Sequence, residues 1–327
     1  MVIHPRDHDL ILATHGRGIL IIDDLTPLRA LQEELLQKDL AFLPSRPYLI
    51  SSMGEQQSFG GDDEFKGTNP VDAVYITYYL KKRHVFGDMY MEIYDPEGNK
   101  IAELPAGKRK GINREAWTPR EKPPKVPVSN TLASGALFGP TYLPGTYTVK
   151  IIKGEESYEG RVNIQFDPKL PHSQSDRELQ LKTLRRAHNM LEDLAYTDAK
   201  ISGVMEKVQK ISDSKDTKTS VKKKLDPYIN KLDSLKKKLV ATKMGGITGE
   251  EQLREKIANV YGAVMRYYGK PTESQIERLN VLENELRSCN LQADELLVNE
   301  LSGINKLILK TGKDEIKVLT PEEFRKE

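Results

Sequence analysis

The chain has 327 residues, of which 38% are hydrophobic and 30% charged, and its formal net charge is +2. This length allows two or three domains. The balanced charge gives no overall attraction to nucleic acid or to an anionic membrane, and no apolar run reaches the ~18 residues of a membrane span. We therefore expect neither a nucleic-acid partner nor a membrane partner. A single cysteine, Cys289, excludes an internal disulfide.

Residues 1–50 predict a β-hairpin followed by a short helix. The apolar hairpin runs from Asp9 to Asp23 and turns through Gly16 and Gly18. Thr26 is expected to cap the helix, with Pro27 at its first position. Short extended pieces punctuated by proline then reach residue 50. Two strands alone are marginal in water, so this hairpin needs further strands that the chain does not obviously supply.

Residues 51–70 are rich in Ser, Gly, Gln and Asp, and this composition predicts a linker or loop. The acidic run Asp62-Asp63-Glu64 raises the alternative of a calcium site. Its ligand spacing is not that of a known calcium loop. A solvated loop is therefore the preferred interpretation.

Residues 71–168 alternate between apolar and polar positions and predict an antiparallel β-sandwich. Six strands are expected, and Trp117 is expected to fill the core between them. The long loop 119–140 contains the polyproline-like run Lys122-Pro123-Pro124-Lys125-Val126-Pro127. We expect this loop to lie over the sandwich, with docking of a partner as the alternative.

From residue 173 the apolar period changes to that of helices, and residues 173–310 predict an antiparallel four-helix bundle. The predicted helix starts are capping boxes, and they pair Ser175 with Glu178, Thr248 with Glu251 and Thr272 with Gln275. Pro227 falls inside the second helix and predicts a kink or a restart there. The remaining residues, 311–327, form a C-terminal extension that is expected to be a short strand or an extended clamp ending in a turn of helix.

Charge favours one arrangement of these helices. Residues 212–243 hold ten lysines and four aspartates, whereas residues 271–309 hold seven acidic and three basic residues. Opposite charge favours pairing of these two segments. Nucleic-acid binding is the alternative reading of the lysines, but they do not form one stripe and no aromatic platform lies among them.

The sequence contains no recognisable catalytic constellation. Phosphate-loop, dinucleotide-binding and nucleophile-elbow motifs are absent. The closest approach to a metal cluster is His4 and His8 with Asp7 and Asp9, and it lacks ligand spacing on a helix. His188 and Asp198 on the first helix are expected to fix packing, Asp23-Asp24 to cap the following helix, and Cys289 to be buried and inert. We predict no catalytic, cofactor-binding or metal-binding residues and no cofactor.

Two passages resemble a known family. His4-Pro5-Arg6-Asp7, the run from Asp9 to Ile19, and Asp23 to Leu28 look like the last blade of a sortilin-like, bacterial-neuraminidase-repeat (BNR) β-propeller. The turn Asp95 to Asn99 and the strand Pro144 to Val149 are similar to the Ig-like domain of the flagellar hook-capping type, which follows the propeller in this family. A helical segment ends the family's chains, as it does here.

The resemblance implies an α+β multidomain fold. Its parts are a propeller-blade remnant over 1–50, a linker over 51–70, an Ig-like antiparallel β-sandwich over 71–168, a four-helix bundle over 173–310 and an extension over 311–327. The propeller and its Asp-box motif are absent from this sequence, so the family's glycosyl hydrolase label cannot be assigned to any residue here. The full-length relatives suggest export to a periplasm or cell surface, although this chain shows no signal peptide and its compartment stays open.

Three functions are therefore weighed. The preferred one is a non-catalytic accessory region of a larger BNR-type propeller protein, which contacts a protein partner or itself through the N-terminal hairpin. The second is a supporting fragment of a glycosyl hydrolase or peptidase-like enzyme whose active site lies on the propeller. The third is a nucleic-acid binder that uses the basic helix.

Overall fold

The computed structural model describes residues 1–50, 70–243 and 250–326. The chain divides into two compact units. The strand unit comprises Met1–Glu121 and Thr141–Pro171, and the helical unit comprises Lys122–Pro140 and His172–Glu327. The fold is mixed α/β with antiparallel sheets, as predicted. No helix among the described residues is both long enough and apolar enough to cross a membrane.

The described residues of the strand unit form three sheets, whose strand orders are β1-β2-β3, β4-β6-β9 and β5-β11-β10-β7-β8. The first strands are β1 (Val2–Ile3), β2 (Leu10–Ala13), β3 (Ile19–Ile22), β4 (Leu40–Leu43) and β5 (Tyr48–Ile50). The later ones are β6 (Val74–Leu80), β7 (Met89–Tyr94), β8 (Lys100–Pro105), β9 (Gly111–Trp117), β10 (Gly145–Lys153) and β11 (Glu156–Phe166). Two short helices, α1 (Thr26–Arg29) and α2 (Glu33–Leu36), precede β4.

The six strands predicted between residues 71 and 168 are confirmed as β6 to β11. Alternate residues of β7 are buried, which is the period of a sheet that covers a core on one face. Trp117 lies in that core, with its ring 6.0 Å from the ring of Tyr142 and 5.4 Å from that of Tyr147. Phe42 of β4 lies against Gly160 of β11, where an added Cβ would collide with the ring.

The boundary predicted at residue 50 is wrong for the strands just before it. β4 pairs with β6 in an antiparallel manner, and β5 pairs with β11 in parallel, so both strands complete the later sheets. Their backbone groups would otherwise lie unpaired at sheet edges, which is unfavourable. The acidic run Asp62-Asp63-Glu64 lies outside the described residues.

Helices and one extended loop make up the helical unit. Its elements are α3 (Gln174–Asp213), α4 (Thr219–Leu239), α5 (Leu253–Met265), α6 (Glu273–Asp294), a π-helical segment (Glu295–Glu300), α7 (Leu301–Leu309), α8 (Pro321–Lys326) and a short 3₁₀ turn (Ser134–Ala136). Their apolar seams meet in one cluster. Fully buried members include Leu191, Leu225, Ile257 and Leu282.

Helix starts follow side-chain chemistry, with some shifts from prediction. The capping box between Thr272 and Gln275 is confirmed at the start of α6. The box predicted at Ser175 lies two residues earlier, where Ser173 and Asp176 exchange hydrogen bonds. Both sites offer a Ser followed by an acid three residues later, so the motif alone does not choose between them.

Two further helix starts differ from prediction. Thr248 lies outside the described residues, and α5 is instead capped by Gln252 with Glu255. Helix α1 begins at Thr26 itself, after Leu25, which makes no side-chain cap. The Thr26 amide instead donates to the Asp24 carboxylate, as expected for the Asp24 member of the Asp23-Asp24 pair. Boundaries of short helices shift easily because few hydrogen bonds define them.

Pro227 does not divide the second helix, because α4 runs from Thr219 to Leu239 through it. Packing of the apolar seam on both sides of the proline holds the helix in one piece.

A second irregularity is the π-helical segment after α6, where Tyr228 donates a hydrogen bond to the carbonyl of Leu296 at 3.0 Å.

The proline-rich loop was expected to belong with the sheets, but residues 122–140 belong to the helical unit. The Ser129 and Thr131 hydroxyls donate to Glu255 of α5, and Gly135 packs directly on the α5 backbone at Ala258. Buried hydrogen-bond partners on α5 therefore decide the position of this loop, and its proline content does not reveal them.

The C-terminal extension is an extended clamp on the helices. Asn305 of α7 exchanges hydrogen bonds with both backbone groups of Ile316, and the Tyr196 hydroxyl donates to the carbonyl of Leu319. Ile316 is buried. The extended-clamp alternative of the prediction is therefore the observed one.

Candidate interaction surface at the N-terminal hairpin

The predicted hairpin is present as β2 and β3, with Leu10 opposite Ile22 and Ala13 opposite Ile19. Its turn requires left-handed backbone, which Gly16 (φ 77°) and Gly18 (φ 82°) supply. The Thr14 amide and hydroxyl both donate to the carbonyl of Gly18, at 3.1 and 2.7 Å. The turn is thus closed by local hydrogen bonds.

Strand β3 is apolar and exposed on both faces. All four of its residues, Ile19, Leu20, Ile21 and Ile22, are exposed, and Ile19 is the most exposed at 69%. β3 ends the sheet β1-β2-β3, so its outer edge pairs with no strand among the described residues. An apolar edge strand of this kind is a template for pairing with another strand.

The base of the hairpin is held by a buried carboxylate. Asp24 is 3% exposed, and its side chain accepts hydrogen bonds from the amides of Thr26 and Arg46, both at 3.1 Å. The Arg114 guanidinium of β9 lies 3.8 Å away. Burial raises the pKa of Asp24, but the hydrogen bonds from Thr26 and Arg46, with the charge of Arg114, outweigh it and hold this pKa below its ordinary value.

Further polar contacts join the hairpin base to the loop before β5. The Asp24 amide donates to Asp9 at 2.9 Å, and Arg46 lies 3.6 Å from Asp9 and 3.7 Å from Asp7. Asp7 also accepts from Arg6, and this hydrogen bond is the main cause that lowers the pKa of Asp7. The acids that sequence analysis weighed as a metal cluster therefore hold arginines.

Three further residues considered as candidates from the sequence, Asp198, His188 and Cys289, lie in the helical unit. Asp198 is buried with Lys236 at 3.7 Å, and burial raises its pKa although Lys236 opposes that shift. The His188 ring lies 3.1 Å from the carbonyl of Lys122. Burial raises the pKa of the Cys289 thiol. Within residues 1–50, 70–243 and 250–326, no group of three or more His, Cys, Asp and Glu side chains is placed to hold a metal ion.

The arrangement presents an exposed apolar strand edge whose base is held by Asp24. The apolar pattern of residues 9–23 predicts the hairpin but does not reveal the contacts that hold its base. Arg46 and Arg114 are 22 and 90 residues from Asp24, and no local pattern links them. The only local hint is the residue type at position 24. Asp24 has a left-handed backbone (φ 51°), which Asp tolerates better than most residues.

Comparisons with known proteins identify no family. No family model matches the chain, and no curated protein matches it. A search of solved structures returns the crystal structure of CopC from Methylosinus trichosporium OB3b, with 13% sequence identity and a TM-score of 0.18. That alignment covers 31% of this chain and 84% of that chain. A likeness at this level carries no argument about fold or function.

Proposed function

We propose that this chain is a non-catalytic interaction region of a larger BNR-type β-propeller protein, and that it docks by strand pairing at the outer edge of β3. The observation that carries the proposal is the exposure of all four apolar residues of β3, Ile19–Ile22. Soluble proteins usually shield such an edge. A partner strand would pair the free backbone groups and cover the apolar side chains together.

The fixed base of the hairpin supports this role. Asp24 ties the end of β3 to Arg46 and lies close to Arg114. A strand held in place loses less conformational freedom when a partner binds, so more of the contact energy appears as affinity. The resemblance of residues 4–28 to a last propeller blade names the partner: neighbouring strands of a propeller.

The finer architecture is part of the proposal. We infer that the sheets β4-β6-β9 and β5-β11-β10-β7-β8 form an Ig-like sandwich, supported by alternate burial along β7 and by the contact of Phe42 with Gly160. We further infer that α3, α4, α5 and α6 with α7 form an antiparallel four-helix bundle, supported by their shared apolar cluster.

The first test reads the coding DNA upstream of Met1 and in the neighbouring genes. The proposal expects a run of strand-turn repeats in frame or in an adjacent gene. Where the repeats lie in an adjacent gene, their product, co-expressed with the full chain, should co-purify with it. Absence of such repeats from both places would contradict the propeller role.

The second test places charge on the edge strand. The double variant Ile19→Lys/Ile21→Lys should abolish co-purification, because a buried lysine in a strand interface is strongly unfavourable. Leu291→Lys on α6 is the matched control, since Leu291 is 66% exposed and lies in the helical unit. Loss of binding in the control, with binding retained in the hairpin variant, would move the interface to the helices and overturn the proposal.

A further inference from the structure

A second surface lies at one end of the strand unit, where two loops meet. They are the β6–β7 connection, residues 81–88, and the β8–β9 connection, residues 106–110, here called the basic loop pair. Pairing of Leu80 with Gly111, and of Tyr90 with Pro105, brings the two loops to the same end of the sheets. The His84 amide donates to the carbonyl of Lys108, and the Lys108 ammonium donates to the carbonyl of Gly87, each at 3.0 Å. The two loops therefore form one surface.

The basic loop pair concentrates positive charge. It contains one acidic residue, Asp88, and six basic ones: Lys81, Lys82, Arg83, Lys108, Arg109 and Lys110. No ion pair within 4.0 Å joins any of these six to an acid among the described residues. The β10–β11 turn beside Asp88 carries Glu155 and Glu156, but Glu156 pairs with Lys153. The Lys81 ammonium donates to the carbonyl and the side-chain oxygen of Gln37, and the charge of Lys82 acts on nearby Asp39. The six basic residues still outnumber the acidic residue of the two loops, so the basic loop pair keeps a net positive charge.

Two apolar side chains stand at the tip of this charged surface. Phe86 is 87% exposed and Val85 is 62% exposed. Gly87 follows them with a left-handed backbone (φ 88°), which fixes the turn at the tip. Exposed single apolar residues are common. An adjacent apolar pair at the tip of a loop that is rich in lysine and arginine has the composition of surfaces that enter the interface of a lipid bilayer.

We propose that the basic loop pair docks this protein on an anionic membrane surface, with Phe86 and Val85 inserted among the lipid headgroups. Cations within about a Debye length of ~10 Å are attracted to anionic headgroups. Insertion removes the two apolar side chains from water. The contact is peripheral, so it requires no membrane-spanning helix.

A lipid partner fits this surface better than nucleic acid does. Phosphates alone would engage the lysines and arginines, but they would leave Val85 and Phe86 exposed to water. The lysines of α4 show the contrast, because Lys222, Lys223 and Lys224 have no exposed large apolar residue on their own helix. The inference departs from the sequence-based expectation of no membrane partner. That expectation came from the overall charge of +2, which averages out a local concentration, and from the lack of an apolar run long enough to span a membrane, which a peripheral contact does not need.

The test is co-sedimentation of the full chain with vesicles of phosphatidylcholine, with and without about 30% phosphatidylserine. The protein should sediment with the anionic vesicles only. The variant Lys108→Ala/Arg109→Ala/Lys110→Ala should lower the partition coefficient by roughly 100-fold, at about fivefold per cation. Phe86→Ser should lower it by roughly tenfold.

Lys222→Ala/Lys223→Ala/Lys224→Ala removes the same charge from α4 and is the matched control, which should bind like the wild type. A Phe86→Trp variant adds an optical signal, since Trp117 is buried and gives a constant background. Its emission should shift to the blue with anionic vesicles and stay unchanged with an oligonucleotide. Equal loss of binding in both triple variants would overturn the proposal, as would oligonucleotide binding without any sedimentation on vesicles. The hairpin variant Ile19→Lys/Ile21→Lys should sediment normally, which separates this surface from the proposed propeller contact.

Discussion

The helical unit and the N-terminal hairpin contain similar apolar residues, but the helical unit buries them and the hairpin exposes them. Leu225 and Leu232 of α4 are fully buried, whereas Ile21 of β3 is 58% exposed. The helical unit covers its leucines with seams from several helices and with the loop 122–140. Within the part of the chain that the structure describes, β2 has a neighbouring strand on each side, whereas β3 has none on its outer side. Burial thus depends on how many elements converge on a residue as well as on the residue type.

The largest expected effect on the free energy of unfolding comes from a cavity made in the core of the helical unit. Leu232→Ala should lower the free energy of unfolding by about 2–5 kcal/mol, because it removes buried methyl groups and leaves a cavity. Urea unfolding followed by far-UV circular dichroism measures this change. Ile21→Ala is the hairpin counterpart and should stay within about 0.5 kcal/mol of the wild type. A large loss at Ile21 would show that the hairpin is covered in solution and would break the comparison.

A smaller but clear effect is expected at the hairpin base. Asp24→Ala should cost roughly 1–3 kcal/mol, because it leaves the amides of Thr26 and Arg46 without their acceptor. The readout is proteolysis of residues 1–24 together with the shift in the unfolding midpoint. Asp23→Ala, which removes the adjacent carboxylate, is the control and should have little effect. Equal effects at both positions would show that Asp24 has no special anchoring role.

Asp24 also predicts a dependence on pH. Its pKa in the folded protein lies below its value in the unfolded chain. Its contribution to stability is therefore complete above the unfolded pKa and is lost as the pH falls through the folded pKa. In Asp24→Asn the loss of stability on acidification should be smaller than in the wild type. Parallel stability curves for the two proteins across acidic pH would contradict the assignment.

The loop 122–140 offers a backbone-level test of packing in the helical unit. A Cβ at Gly135 would collide with the carbonyl oxygen of Ala258, so Gly135→Ala should cost about 1–3 kcal/mol by overpacking. Faster proteolysis of the loop should accompany that loss. Gly203→Ala on α3 meets nothing within 4 Å and should instead stabilise the helix by up to about 1 kcal/mol. Protection of the loop in Gly135→Ala would contradict the close contact.

The smallest effect on stability is expected from a polar change on the edge strand. Ile21→Thr keeps a β-branched side chain and should change the free energy of unfolding by less than about 0.5 kcal/mol. The effect of Ile21→Thr should appear in association of the protein through the edge of β3, measured by light scattering across a concentration series. A destabilisation like that of Leu232→Ala would show that β3 is part of a core.

Local patterns predicted many elements and failed where distant contacts decide. The strands β6 to β11 follow from short alternating runs, and the cap at Thr272 follows from residues three apart. The loop 122–140 was assigned to the wrong unit because its position depends on Glu255, more than 120 residues away. The sequence did not reveal the basic loop pair, because β7 and β8 separate its two loops along the chain. The overall charge of +2 also averages out their local positive charge.

The sequence by itself determined the mixed composition of strands and helices, the apolar hairpin and the absence of a recognised catalytic motif, because these depend on neighbours within a few residues. Only the tertiary structure decided that β4 and β5 complete the later sheets, that Asp24 fixes the hairpin base, and that residues 81–88 and 106–110 share one surface. Each of these depends on hydrogen bonds or packing between segments far apart in the chain. Such contacts form only when the whole chain has buried its apolar faces.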